Sequence, residues 1–243
     1  MSETNTIRVK EVSKSFGKKV VLKDINFDIK QGRIYGFIGP SGAGKTTLVK
    51  MIVGMDIPDK GSIYLLGEKM PNLEILQQIG YMAQSDALYT ALTGKENLMF
   101  FASLFKLANA EKQKRIAYAA ELVNLTDDLD KKVSAYSGGM KRRLSLAIAI
   151  IQNPQVLILD EPTVGIDPEL RLSIWNELLR LKDEEGKTII VTTHVMDEAE
   201  KCDYIAMVRD GSIIATGTPL QLKEKYGVNS LDGVFINAGR KVQ

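Results

Sequence analysis

Gly39-Pro40-Ser41-Gly42-Ala43-Gly44-Lys45-Thr46 fits G-x-x-x-x-G-K-[ST] at every fixed position. An apolar run of strand length, residues 33–38, precedes it. After it, Leu48, Met51 and Ile52 recur at helical spacing before Gly54. A loop between a strand end and a helix start turns successive backbone N–H groups into one concavity, at the positive end of the helix dipole. Such a hollow takes a polyphosphate. Gly42 and Gly44 let the backbone approach, and Gly39, Pro40, Ser41, Ala43 and Thr47 complete the wrap. Lys45 reaches the terminal phosphates and Thr46 offers a hydroxyl to Mg²⁺. The context favours a bound nucleoside triphosphate over a merely flexible glycine loop.

The bulk numbers narrow the setting. The chain has 243 residues, 44% of them hydrophobic and 26% charged, the balance of a soluble globular protein. Lys and Arg number 32 against 30 Asp and Glu. A net charge of +2 argues against a dedicated nucleic-acid binder. One cysteine, Cys202, allows no intrachain disulfide and no cysteine-rich zinc site. The longest apolar runs, 144–151 and 156–159, fall far short of the ~18–20 residues that cross a bilayer. Met1-Ser2-Glu3-Thr4-Asn5-Thr6 lacks the basic and apolar regions of a secretory leader. The expectation is a cytoplasmic chain, with any membrane part supplied by another chain.

Segments rich in branched aliphatics, 7–12, 20–29, 34–38, 62–66 and 79–83, read as strands. Residues 93–105, 110–125 and 138–151 read as helices, the first opened by a Thr93-x-x-Glu96 capping box. Strands return at 156–159, 188–192 and 204–208, separated by helices at 168–184 and 196–201. A closing hairpin is expected at 213–216 around Asp210-Gly211. Alternating strands and helices predict a parallel α/β core interrupted by a helical insertion.

Val156-Leu157-Ile158-Leu159-Asp160-Glu161 is the second informative stretch. Four large apolar residues suit a strand buried on both faces, and two carboxylates at its C-terminal end are costly unless they act. Asp160 is placed to hold the Mg²⁺ water shell, and Glu161 to orient or deprotonate an attacking water. An exposed acidic turn is the alternative.

Tyr136-Ser137-Gly138-Gly139-Met140 opens a helix with a serine and two glycines, a second anion-binding N-terminus by its chemistry. Here the chain resembles the ATP-binding cassette (ABC) superfamily, whose signature usually reads L-S-G-G-Q. Gln84 follows strand 79–83 as the Q-loop does, Val164-Gly165-Ile166-Asp167 stands at the D-loop, and His194 follows 188–193 as the switch histidine does. The resemblance covers essentially the whole chain in the family's order. It implies a P-loop NTPase core with a mostly parallel sheet (1–90 and 152–220), an N-terminal antiparallel β subdomain, an inserted helical subdomain (91–151) and a short tail (221–243).

The resemblance also assigns roles. Glu161 does the proton work, His194 senses the γ-phosphate, and Lys45 and Gln84 join them in catalysis. Thr46, Gln84 and Asp160 hold Mg²⁺. Phe16 stacks on the adenine of ATP, where a core phenylalanine is the other reading. Ser137, Gly138 and Gly139 serve the nucleotide of a second ATP-binding subunit, a homodimer being expected. Separate transmembrane subunits complete such a transporter, with this chain peripheral at the cytoplasmic face. Leu88, Tyr89 and Leu92 are candidates for contacting them.

Residues 92–98 and the tail 231–236 are similar to the drug and daunorubicin-resistance branch of exporters, although Asp232 and Gly233 depart from its usual L-E-D-V-F. A soluble ABC ATPase acting on nucleic acid, ribosomes or protein assemblies is the alternative. Lys141-Arg142-Arg143 reads either as steering for phosphates or as a solvated helix face. Trp175 reads as core.

Overall fold

The computed structural model describes residues 5–85, 87–105 and 107–240. The first half of the chain runs through β1 (Asn5–Phe16), β2 (Lys19–Lys30), β3 (Ile34–Ile38), α1 (Lys45–Ile52), β4 (Lys60–Leu65), β5 (Glu68–Lys69), β6 (Ile79–Met82), α2 (Gly94–Ser103) and α3 (Asn109–Leu122). The second half adds α4 (Gly138–Ile150), β7 (Val156–Asp160), α5 (Pro168–Glu185), β8 (Thr188–Thr193), α6 (Met196–Ala199), β9 (Tyr204–Arg209), β10 (Ser212–Gly217), α7 (Pro219–Tyr226) and α8 (Leu231–Arg240). The expected strands and helices are present, with ends shifted by a few residues. The short strand β5 and the helices α7 and α8 went unpredicted.

The chain forms two compact units, Met1–Leu76 with Thr188–Gln243, and Gln77–Lys187. In the first, an antiparallel sheet runs in the order β2-β1-β4-β5. Beside it β3 lies parallel between β8 and β9, and β9 turns back antiparallel into β10. Every residue of β3 and β8 is buried, which is why their sequences are continuous apolar and threonine runs without alternation. The β9–β10 turn falls at Asp210 and Gly211, with φ of 49° and 77°. Positive φ at both central positions matches the right-handed twist of the flanking strands.

The C-terminal stretch, expected from sequence only as a short tail at 221–243, carries the helices α7 and α8. Thr218 and Gln221 form a reciprocal capping box, Pro219 occupies the first turn, and Gly227 ends α7 in the left-handed region. Leu222, Leu231, Val234 and Ala238 then pack on Ile38, Ile205, Met207 and Ala215. Lone Cys202 packs beneath β3, where a Cβ on Gly36 would stand 2.9 Å from its Sγ. Burial pushes the Cys202 thiol up, keeping it protonated.

In the second unit β6 and β7 pair in parallel, Ile79 opposite Val156 through Met82 opposite Leu159. Leu144, Leu146, Ala147, Ala149, Ile150 and Ile151 are buried, as the aliphatic stripe predicted. Trp175 on α5 is fully buried. The phenol of Tyr118 on α3 donates to Glu177 on α5, whose carboxylate also accepts from Arg180 Nη2 at 2.6 Å.

Candidate nucleotide-binding and hydrolysis site

In the first unit the glycine-rich loop leaves the end of β3 and enters α1. Gly44 is the helix N-cap with φ 107°, and a Cβ there would stand 2.7 Å from Leu22 Cδ2 and 2.9 Å from Val21 O. Glycine is required at that position by space and by conformation. Lys45 is only 5% exposed, and its Nζ donates to Gly39 O at 2.7 Å and Pro40 O at 3.1 Å. Ala43 is buried and its carbonyl accepts from Gly211 N at 3.2 Å, so the β9–β10 turn braces the loop from behind. Pro40, Ser41 and Gly42 are exposed, and Thr46 and Thr47 are half-buried in the first turn of α1. The loop therefore has a fixed floor and an open rim.

Ile38 lies opposite Thr193 in parallel register. The loop and His194 consequently leave adjacent strands at the same sheet edge. His194 is exposed there, and the turn that carries it is fixed by Thr193 Oγ1, which donates to Glu198 at 2.7 Å and accepts from Val195 N. Phe16 ends β1 and is 53% exposed as a residue, which rules out the core reading. Lys14 Nζ sits 5.2 Å from the centre of that ring, anchored by Asp56 at 2.7 Å and by Ile57 O at 2.7 Å.

In the second unit Met82 lies opposite Leu159, so Gln84 and the pair Asp160-Glu161 leave adjacent strands at a common edge. Asp160 is fully buried at the end of β7. Glu161 is half-buried with φ 54°. A non-glycine residue in the left-handed region is strained, and such strain is characteristically kept at working sites. The neighbouring Tyr81 phenol is pushed up to about 12, mainly by burial and then by the Asp160 carboxylate, with Arg142 opposing. Gln84 is exposed.

Ser137 caps α4, its Oγ accepting from Met140 N at 3.2 Å, and Ser137 and Gly138 are exposed. The unusual Met140 thus supplies a backbone donor that needs no glutamine side chain. A Cβ on Gly139 would approach Gly165 O at 3.1 Å, which sets the D-loop beside the signature.

Sequence reasoning missed Arg142. It is 7% exposed, not on a solvated face. The signal was there: Arg142, Leu146, Ala149 and Ile150 fall on one helical stripe, and all four are buried. Its neighbour Arg143 also turns inward, donating to Val123 O at 3.1 Å and Asn124 O at 2.7 Å.

The sequence profile described as ABC transporter matches residues 22–164, more than half of the chain. This chain belongs to the ABC transporter family of ATP-binding cassettes. The linearmycin resistance ATP-binding protein LnrL of Bacillus subtilis (strain 168) is 40% identical, across 93% of this cassette and 73% of the relative. Nod factor export ATP-binding protein I of Burkholderia orbicola (strain AU 1054) is 42% identical, across 90% and 72%. Among solved structures, an ATP-binding subunit of an ABC transporter superposes with a TM-score of 0.89 at 28% identity, covering 97% of this cassette and all of that chain. The ATP-binding cassette MJ0796, dimeric in a post-hydrolysis state with ADP and Pi, superposes at 0.81 with 28% identity, covering 87% and 98%. The cassette is thus an ATP-binding, ATP-hydrolysing subunit of an ABC transporter, with the α/β fold its sequence predicted.

Among the described residues no helix of this cassette is long and apolar enough to cross a membrane. Nor, among them, does any group of three His, Cys, Asp or Glu side chains stand ready to hold a metal ion alone. The first unit offers the Thr46 hydroxyl and the second the Asp160 carboxylate, each a hard oxygen. Oxygens of this kind suit Mg²⁺, which binds through one or two carboxylates together with substrate phosphates.

Proposed function

We propose that this cassette drives export as a head-to-tail pair, each ATP held by residues 39–46 of one copy and residues 137–139 of the other. The observation that carries the pairing is the exposed N-terminus of α4, where Ser137 and Gly138 present a helix end to solvent. The MJ0796 cassette is dimeric, which supports pairing, and relatives named for resistance and export support the direction.

Within one copy, Lys45 places its charge against the terminal phosphates and Phe16 stacks on the adenine. His194 hydrogen-bonds the γ-phosphate from the sheet edge it shares with the loop. Glu161 orients the attacking water and takes its proton, with Gln84 beside that reaction. Thr46, Gln84 and Asp160 would hold Mg²⁺, which would supply neutralisation of phosphate charge when bound. Loss of the γ-phosphate removes what both copies grip, and the pair loosens.

An aromatic cluster marks the surface for the membrane-spanning partner. Tyr89 and Phe100 meet edge to face at 4.8 Å, Phe101 stands 5.3 Å from Phe100, and Leu104 is exposed beside them in sequence. Of the three residues expected there, Tyr89 is exposed while Leu88 and Leu92 are half-buried; residue 86 lies outside the described residues. The test is affinity capture of the tagged chain from its own cells, with and without alanine at Tyr89 and Phe100. Capture of an integral membrane protein that the double substitution abolishes supports the reading. Capture of ribosomes or nucleic acid instead refutes it.

A further inference from the structure

We infer that Arg142 is a positioning residue for ATP hydrolysis: its guanidinium ties the segment after β6 to the segment after β7 and so fixes the backbone that aims Glu161. The role rests on the reading of Glu161 as the residue that handles the attacking water. Nη1 donates to Ala83 O at 2.8 Å and Gln84 O at 3.0 Å, while Nη2 donates to Glu161 O at 2.7 Å and to Asp160 O. Ala83 and Gln84 are the first two residues beyond β6, while Asp160 ends β7 and Glu161 follows it, and the Met82–Leu159 register brings both strand ends to one edge.

Arginine offers five N–H donors spread over three nitrogens of one rigid plane, so it can bridge two loops at once. Lysine concentrates its donors on a single atom. The clamp also bears on strain. Glu161 holds φ 54°, and the hydrogen bond to its own carbonyl is one of the contacts that keep it there. Arg142 further belongs to the helix that Ser137 caps. A helix turn between them makes the signature end and the clamp move as one body.

Because Arg142 is buried, removal of its donors takes a hydrogen bond from each of these backbone acceptors, so stability must be separated from chemistry. Arg143 provides the control, because it clamps two carbonyls from the same helix at a place apart from the carboxylates. Arg142→Met and Arg143→Met are compared with wild type by melting temperature, by ATP affinity in calorimetry and by steady-state ATPase kinetics.

The expected result is a lowered melting temperature in both, with kcat reduced about 10²-fold at unchanged ATP affinity only in Arg142→Met. Arg142→Lys should fall between, and it decides the matter if the methionine variant does not fold. Wild-type kcat in Arg142→Lys or in folded Arg142→Met overturns the proposal. So does an equal kcat loss in Arg143→Met, which would reveal a structural effect alone. Glu161→Gln run alongside separates the two readings: if it still turns over ATP, the proton role fails, whereas the Arg142 comparison is scored on its own kinetics.

Discussion

Lys45 donates to the carbonyl of Gly39 at 2.7 Å, six residues back along its own loop. The ammonium is therefore already held at the mouth of the hollow it serves, and it also keeps the loop closed on itself. Replacing it removes a charge-assisted contact to phosphate, of the kind that contributes about 1.5–3 kcal/mol. Lys45→Ala should weaken ATP binding by about 10- to 100-fold in calorimetry. Unchanged affinity would refute the loop assignment.

Gly42 and Gly44 both have positive φ, at 80° and 107°, but they should respond differently to alanine. Nothing lies within 4 Å of a Cβ at Gly42, whereas one at Gly44 collides with Leu22 and Val21. Gly42→Ala should cost about 1–2 kcal/mol from conformation alone. Gly44→Ala should cost clearly more, read as a larger drop in urea midpoint. Equal losses would show that the loop yields where the packing says it cannot.

The Phe16 ring is exposed and backed by Lys14, an arrangement suited to carrying a purine. A base stacked on an aromatic contributes about 1–3 kcal/mol. Phe16→Ala should raise KM for ATP about tenfold and leave kcat alone, while Phe16→Tyr should match wild type. An unaltered KM in the alanine variant would remove Phe16 from the site.

Glu177 gives a pH-dependent prediction. Burial raises its carboxyl, but hydrogen bonds from Arg180 and Tyr118 outweigh that and hold it below the usual value of 4.5. A depressed carboxylate stabilises the fold fully above its unfolded pKa, and that contribution is lost as pH falls through the folded one. Glu177→Gln should therefore melt below wild type at pH 7, with the gap narrowing as pH falls below 4.5 and through the lowered folded pKa. A gap that persists in acid would mean that packing, not charge, sets the difference.

How much was legible follows from how few solutions each pattern has. The run 39–46 between an apolar strand and an amphipathic helix admits one local geometry, and Val156-Leu157-Ile158-Leu159 admits only a doubly buried strand. Strand register, which brings His194 beside the loop and Gln84 beside Asp160, is a long-range property that no local pattern encodes. Arg142 was hidden by its company, since three adjacent basic residues look like surface although two of them turn inward onto carbonyls. Helix α7 was missed despite a legible Thr218-Pro219 start and Gly227 stop. Only the tertiary contact of α8 with β9 and β10 explains why the chain stays ordered beyond them.

The central claim is that ATP joins two copies, with Glu161 handling the water that ends the union. Sedimentation equilibrium of Glu161→Gln tests it most directly. The account predicts a dimer in ATP, carrying two nucleotides, and a monomer in ADP or without nucleotide. A protein that remains monomeric at saturating ATP, or dimerises equally in ADP, would contradict it.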